Sequence, residues 1–210
     1  RWGRDNHLVV CADSTRHSED VPGRERGWRT FGGILRDVSL RAMPHTHIGG
    51  IRVTAEPVGA SGKVSLKVAL ETAQRLTGVG VEVEVLGRQG HAVATFLKPG
   101  LALKAGRTTI QVGGMAKHVK PWSPEHPSLY RARVILSRNG QVLDTDEVRF
   151  GFRRIEVRGT QLLLNGKPVV LRGFNRHEDS PHTGMCPDLA TVSRDITAMK
   201  AAGANFVRLC

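Results

Sequence analysis

The chain is expected to be mainly β, with the tail of one β-sandwich, a complete immunoglobulin-like β-sandwich, and the opening β-α-β unit of a parallel α/β sheet or barrel. Three observations carry this. Apolar and polar residues alternate in seven short segments between residues 47 and 152, the period of strands with one buried face. Gly-rich turns separate those segments, as in an immunoglobulin-like sandwich. Past residue 187 the period becomes helical, between two apolar strand-like runs.

The first part is short. Asn6 to Asp13 is apolar enough for a buried strand, and Ser14 to Arg29, with Pro22 and two glycines, is a long loop. Phe31 to Arg41 is expected to form a second strand, with Ile34, Arg36, Val38 and Leu40 on one side. Two strands cannot make a domain alone, so they are expected to end a sandwich begun upstream. Pro44 and Gly49-Gly50 mark a boundary.

The second part is uniform. Strands are expected at Ile51–Ala55, Val64–Leu70, Val79–Leu86, His91–Leu97, Arg107–Val112, Tyr130–Ser137 and Val142–Phe152. Val64, Leu66, Val68 and Leu70 share a face, and Val79, Val81, Val83 and Val85 point inward while Glu82 and Glu84 point out. Arg138-Asn139-Gly140 is a hairpin signal. Trp122, between Pro121 and Pro124, is expected to plug one end of the sandwich, with a binding loop as the alternative.

At Arg153 the character changes. Ile155–Val157 and Leu162–Leu164 lead to Asn165-Gly166, a second hairpin signal. Pro168 to Gly173 follows, and its Val169–Leu171 run is what a strand buried on both faces shows. After a polar loop, Pro187 and Asp188 open a helix whose Leu189, Val192, Ile196 and Met199 form one stripe, and Gly203 stops it. Asn205–Leu209 returns as a strand after a crossover long enough for parallel pairing. Parallel strands would bring Asn175 to Asp179 and Arg208 out on the same face of the sheet.

Composition narrows the function. A 40% apolar chain of 210 residues can bury real cores. No signal peptide and no apolar run near the roughly 18 residues of a membrane helix is visible, and a cytoplasmic location is slightly favoured. The net charge of +12 raises a nucleic-acid partner. The basic residues are dispersed, however, aromatics are only 5%, and no recognition motif appears, so none is expected. Cys11, Cys186 and Cys210 form no CxxC pair and no disulfide framework. The first residue is Arg1 and Cys210 sits inside an apparent strand, so the chain is expected to be an internal piece of something longer.

The loop after Leu171 concentrates ionisable groups. His177, Glu178, Asp179 and His182 invite a metal reading, but their spacing matches no helical ligand face and neighbours on an extended loop diverge. Glu178 and Asp179 do not suit a glycosidase pair either, since such carboxylates must flank a bond from two sides. A surface loop of charges and caps is the bland alternative.

The runs FGFRRIEV (150–157), LLLNGKPVVLRGFNRHEDSPHTG (162–184) and RDITAMKAAGANFVR (194–208) resemble glycoside hydrolase family 2, which includes β-galactosidases, β-glucuronidases and β-mannosidases. Upstream, FGGILRDV (31–38) resembles the end of that family's sugar-binding jelly roll, and WSPEHPSLY (122–130) the approach to a late strand of its immunoglobulin-like domain. The resemblance implies domains at 1–45 (end of the jelly roll), 46–152 (sandwich) and 153–210 (start of a TIM (β/α)8 barrel). It also implies a retaining β-glycosidase, β-galactosidase-like, that acts on a carbohydrate substrate. No cofactor and no metal ligand are expected. Oligomerisation of the full-length protein stays open. His177, Arg208 and Asn175 would bind the sugar, and Arg176, Glu178 and Asp179 would hold the loop. Leu209 departs from the small residue usual in the family. The family's two catalytic glutamates lie on later barrel strands, so this stretch alone is expected to be inactive. A non-catalytic sandwich that binds or scaffolds is the competing class.

Overall fold

All seven alternating segments between residues 46 and 150 form strands in the computed structural model, which describes residues 3–15, 17–19 and 33–209. They are β1 (Thr46–Val58), β2 (Ser61–Thr72), β3 (Leu76–Leu86), β4 (Ala92–Leu103), β5 (Gly106–Ala116), β6 (Tyr130–Arg138) and β7 (Gln141–Phe150). β1-β2-β5 make one antiparallel sheet and β4-β3-β6-β7 the other. The period-2 pattern sets which side chains face between them. Val64, Leu66, Val68 and Leu70 of β2 are all buried, as are Val79, Val81, Val83 and Val85 of β3 and Ala132, Val134 and Leu136 of β6. On the outer face Arg133 lies between its register partners Glu84 and Glu147, 3.2 Å and 3.5 Å away, and Arg131 reaches Glu147 at 3.1 Å.

Phe152 closes one end of the core. It is fully buried, with Tyr130 edge-on at 5.0 Å and Phe150 at 5.3 Å between ring centroids. Gly62 lies so close that a Cβ there would stand 2.4 Å from the Phe152 ring. The β6–β7 turn has Asn139 and Gly140 at φ 50° and 79°, the two left-handed residues of a type I′ turn.

Beyond Phe152 comes a small antiparallel sheet in the order β10-β9-β8, made of β8 (Ile155–Arg158), β9 (Gln161–Leu164) and β10 (Lys167–Pro168). Asn165 and Gly166 form its type I′ turn at φ 52° and 79°. The Asn165 side chain also fastens the sheet to the sandwich. Its Oδ1 accepts from the Arg154 backbone N–H at 2.9 Å, and its Nδ2 donates to the Trp122 carbonyl at 3.0 Å. Trp122 itself is half-buried, donates its backbone N–H to Phe152 O, and lies under the Arg153 guanidinium. It packs at the end of the sandwich, as a plug would.

Arg41–Val170 is one compact unit; Arg1–Leu40 and Leu171–Cys210 fall in the other. In that second unit, β11 (Gly173–Arg176) and β12 (Phe206–Leu209) pair in parallel around α1 (Leu189–Ala201). Asp188 caps α1 by accepting the Thr191 N–H at 2.7 Å. Gly203, at φ 88°, donates to Lys200 O and ends the helix. Gly173 sits so tight against β12 that a Cβ there would stand 2.0 Å from Phe206 O. Among the described residues no helix is long and apolar enough to cross a membrane.

Three expected strands need correction. Asn6–Asp13 forms no strand: among the described residues no segment pairs with it, and Leu8 and Val9 are exposed. Alternation without a hydrogen-bonded partner does not make a strand. In the segment expected at 31–41, Phe31 and Gly32 lie outside the described residues, and 33–41 is not a strand. The strand expected over 168–173 starts later, at Gly173. Val169 is instead held to β9 through Leu162 O, and the Arg172 carbonyl accepts from Asn205 and Phe206, so parallel pairing begins there.

Candidate functional site

β11 ends on the residues that the sequence singles out. Side chains alternate along it, so Phe174 and Arg176 take one face and Gly173 and Asn175 the other. Arg176 is buried at 4% exposure, and a permanently charged guanidinium in that position needs a partner. Asp195 of α1 supplies it: Nη2 lies 2.9 Å from Asp195 Oδ2 and Nε donates to the same oxygen at 3.1 Å. This pair ties the strand to the helix.

On the other face, Asn175 is the register partner of Arg208 across the parallel pair. Registered residues of adjacent strands share a face, so an amide and a guanidinium stand side by side, away from Arg176. Asn205 sets that register, since its Oδ1 accepts the Arg172 N–H at 2.8 Å just before the strands pair. His177, half-buried, follows the last residue of β11. Neutral amide, imidazole and guanidinium together offer donors in several directions and an acceptor, a set suited to hydroxyl groups.

The residues after His177 are held from outside the strand pair. Glu178 forms an ion pair with Arg36, and its other oxygen lies 3.8 Å from Arg176 Nη1. Asp179 is exposed. Ser180 and Gly184 exchange backbone hydrogen bonds at 2.8 Å and 2.9 Å, closing the loop on itself with His182 at its tip. That closure holds His182 in a separate turn, and among the described residues no three His, Cys, Asp or Glu side chains gather as a metal would need. Asp188, fully exposed, is held below the ordinary aspartate range by the hydrogen bonds it takes from Thr191.

Two grooves lie elsewhere, one along residues 63–65, 95–98 and 111–114 of the sandwich and one beside α1. Neither is lined by Asn175, His177 or Arg208. Two strands of a sheet leave any pocket above their ends open. Two residues of this region were not singled out from the sequence. Asp195 left a trace there, an acid at helical spacing between Val192 and Met199. Arg36 stood in the FGGILRDV run, but nothing there pointed to Glu178, 142 residues away.

Comparison with known proteins gives consistent matches. Residues 46–153 match the family described as "Glycosyl hydrolases family 2", and residues 155–210 match its TIM barrel domain. The chain is 31% identical over 205 residues to a putative β-glucuronidase of Formosa agariphila, covering 97% of this chain and 24% of that protein. It is 36% identical over 216 residues to a β-galactosidase of Enterobacter cloacae, with 97% and 20% covered. Among solved structures, a glycosyl hydrolase family 2 member from Bacteroides cellulosilyticus superimposes with a TM-score of 0.74 at 26% identity, over 80% of this chain and 22% of that one. A β-glucuronidase from Ruminococcus gnavus in complex with an N1-substituted uronic isofagomine gives 0.68 at 26% identity, over 80% and 27%. The chain thus spans about a quarter or less of the curated relatives it matches.

Proposed function

The chain belongs to glycosyl hydrolase family 2, and from that premise we propose that it is part of a retaining β-glycosidase, β-galactosidase-like, which hydrolyses O-glycosidic bonds of carbohydrates. In this reading residues 1–45 end a sugar-binding jelly roll, 46–152 are the immunoglobulin-like sandwich, and 153–210 open the catalytic barrel. The observation that carries it is the register of Asn175 on Arg208 at the end of a parallel strand pair, with His177 next in the chain. Active sites of parallel barrels are built at that end of the strands. His177 and Arg208 donate to sugar hydroxyls, and Asn175 donates or accepts beside them. Such bonds favour hydrolysis when they strengthen as the ring distorts toward the transition state.

The chemistry itself requires an acid/base and a nucleophile facing each other across the bond, about 5–5.5 Å apart for retention. Glu178 and Asp179 are neighbours on one loop and do not flank a bond from two sides, so this reading puts the catalytic pair on later barrel strands. The chain on its own is therefore expected to bind weakly and hydrolyse nothing. The experiment is His177→Ala in the full-length protein, assayed with a chromogenic β-galactoside. A fall in kcat/KM of about 10- to 100-fold is expected for losing one or two bonds to the substrate. Unchanged kinetics would remove His177 from the pocket. Glycan binding by the full-length protein without any turnover would favour the binding-module class instead.

A further inference from the structure

Arg36 lies on a segment that forms no strand, yet that segment grips the loop after β11 at both ends. One arm of its guanidinium pairs with Glu178 Oε2, and Nη1 donates to the Met185 carbonyl at 2.5 Å. Beside it, the Leu35 carbonyl accepts from Cys186 Sγ at 2.7 Å. Two consecutive residues thus hold positions 178, 185 and 186, while the Ser180–Gly184 pairing closes the loop between them. The charges continue inward with alternating sign, from Arg36 to Glu178 to Arg176 to Asp195. His177 sits within this chain, between Arg176 and Glu178 in sequence.

We propose that Arg36 is a positioning residue for the glycoside site: it fixes the loop 178–186 and, through Glu178, the orientation of His177. The proposal rests on the reading of His177 as a sugar-binding residue. A single exposed ion pair contributes little. Here one planar fork engages a carboxylate and a carbonyl from different parts of the loop at once, a geometry that lysine's point charge cannot reproduce. Without Arg36, Glu178 keeps, among the described residues, the longer contact to Arg176, and the Met185 carbonyl loses this donor.

The test is hydrogen exchange of the full-length protein, with the sandwich strands as the internal control for folding. In Arg36→Ala, amides of 177–186 should exchange about five- to tenfold faster, while β2, β3 and β6 stay protected. Glu178→Gln should loosen the same peptides, and Arg36→Lys should fall between Arg36→Ala and the parent. The kcat/KM for a chromogenic β-galactoside should fall with the same ranking. Unchanged exchange in 177–186, full rescue by lysine, or a loss of protection that spreads to the sandwich would each overturn the proposal. If the loop loosens in Arg36→Ala but His177→Ala turns over normally, the positioning of the loop stands and the sugar-binding role of His177 is what fails.

Discussion

Leu66, Val83 and Val134 in the sandwich are wholly buried, whereas no residue of α1 is buried and Leu189, Phe206 and Leu209 stand 87%, 46% and 67% exposed. Both regions carry clear apolar periodicity. The difference lies in partners. Seven strands supply two facing sheets, so the inward valines join leucine, isoleucine and aromatic side chains in one core between them. One helix and two strands form a single layer pair, and among the described residues little else covers the stripe. The β-α-β unit nevertheless has its cap, its glycine stop and its parallel register. Local signals determine that an element forms, and partners determine whether its apolar face is buried.

Substitutions can break or sharpen this contrast. The largest effect should come from Phe152→Ala, which empties the end of the sandwich core and is expected to cost about 3–5 kcal/mol. A lowered urea midpoint, followed by circular dichroism, would show it. Arg176→Ala should cost about 1–2 kcal/mol, confined to the β-α-β unit, because Asp195 is exposed enough to regain water. Faster hydrogen exchange in α1 with unchanged sandwich strands is the expected pattern, and equal loosening of both regions would erase the distinction.

Asp188→Ala should fray the start of α1 by a smaller amount, seen as faster exchange there at neutral pH. Asp188 has its acidity raised in the folded chain, so its contribution is present above the ordinary aspartate range and is lost as pH falls through the lowered value. The gap between Asp188→Ala and the parent should therefore close in acid. The smallest effect belongs to Leu189→Ala, expected within about 0.5 kcal/mol. A cost comparable to that of Phe152→Ala would mean that the stripe is covered after all.

Much of this was legible in the sequence, for reasons that differ by element. Every sandwich strand was, because an alternating run such as Val79–Val85 has only one face to bury. The helix was as well, since Asp188 and Gly203 bracket it chemically. Val169–Leu171 misled because a short apolar run has no period; the strand's position is set by Asn205 bonding to Arg172, a contact 33 residues away. Asn6–Asp13 misled because strand formation depends on a neighbour that composition does not reveal. In the candidate site, the cluster Asn175 to Asp179 with Arg208 was legible as a group of polar residues at strand ends. The division of labour among them was not. Arg176 faces α1 and Asn175 faces away from it, and that sorting follows from a strand register only the fold specifies.

Gly173 carries this into heredity. Its α-carbon rests against Phe206 O so closely that even one added carbon would occupy an oxygen's place. Any missense change at that codon therefore meets the same obstacle, whatever residue it encodes. Among variants that still fold, an unvarying residue 173 would be the inherited imprint of two backbones in contact.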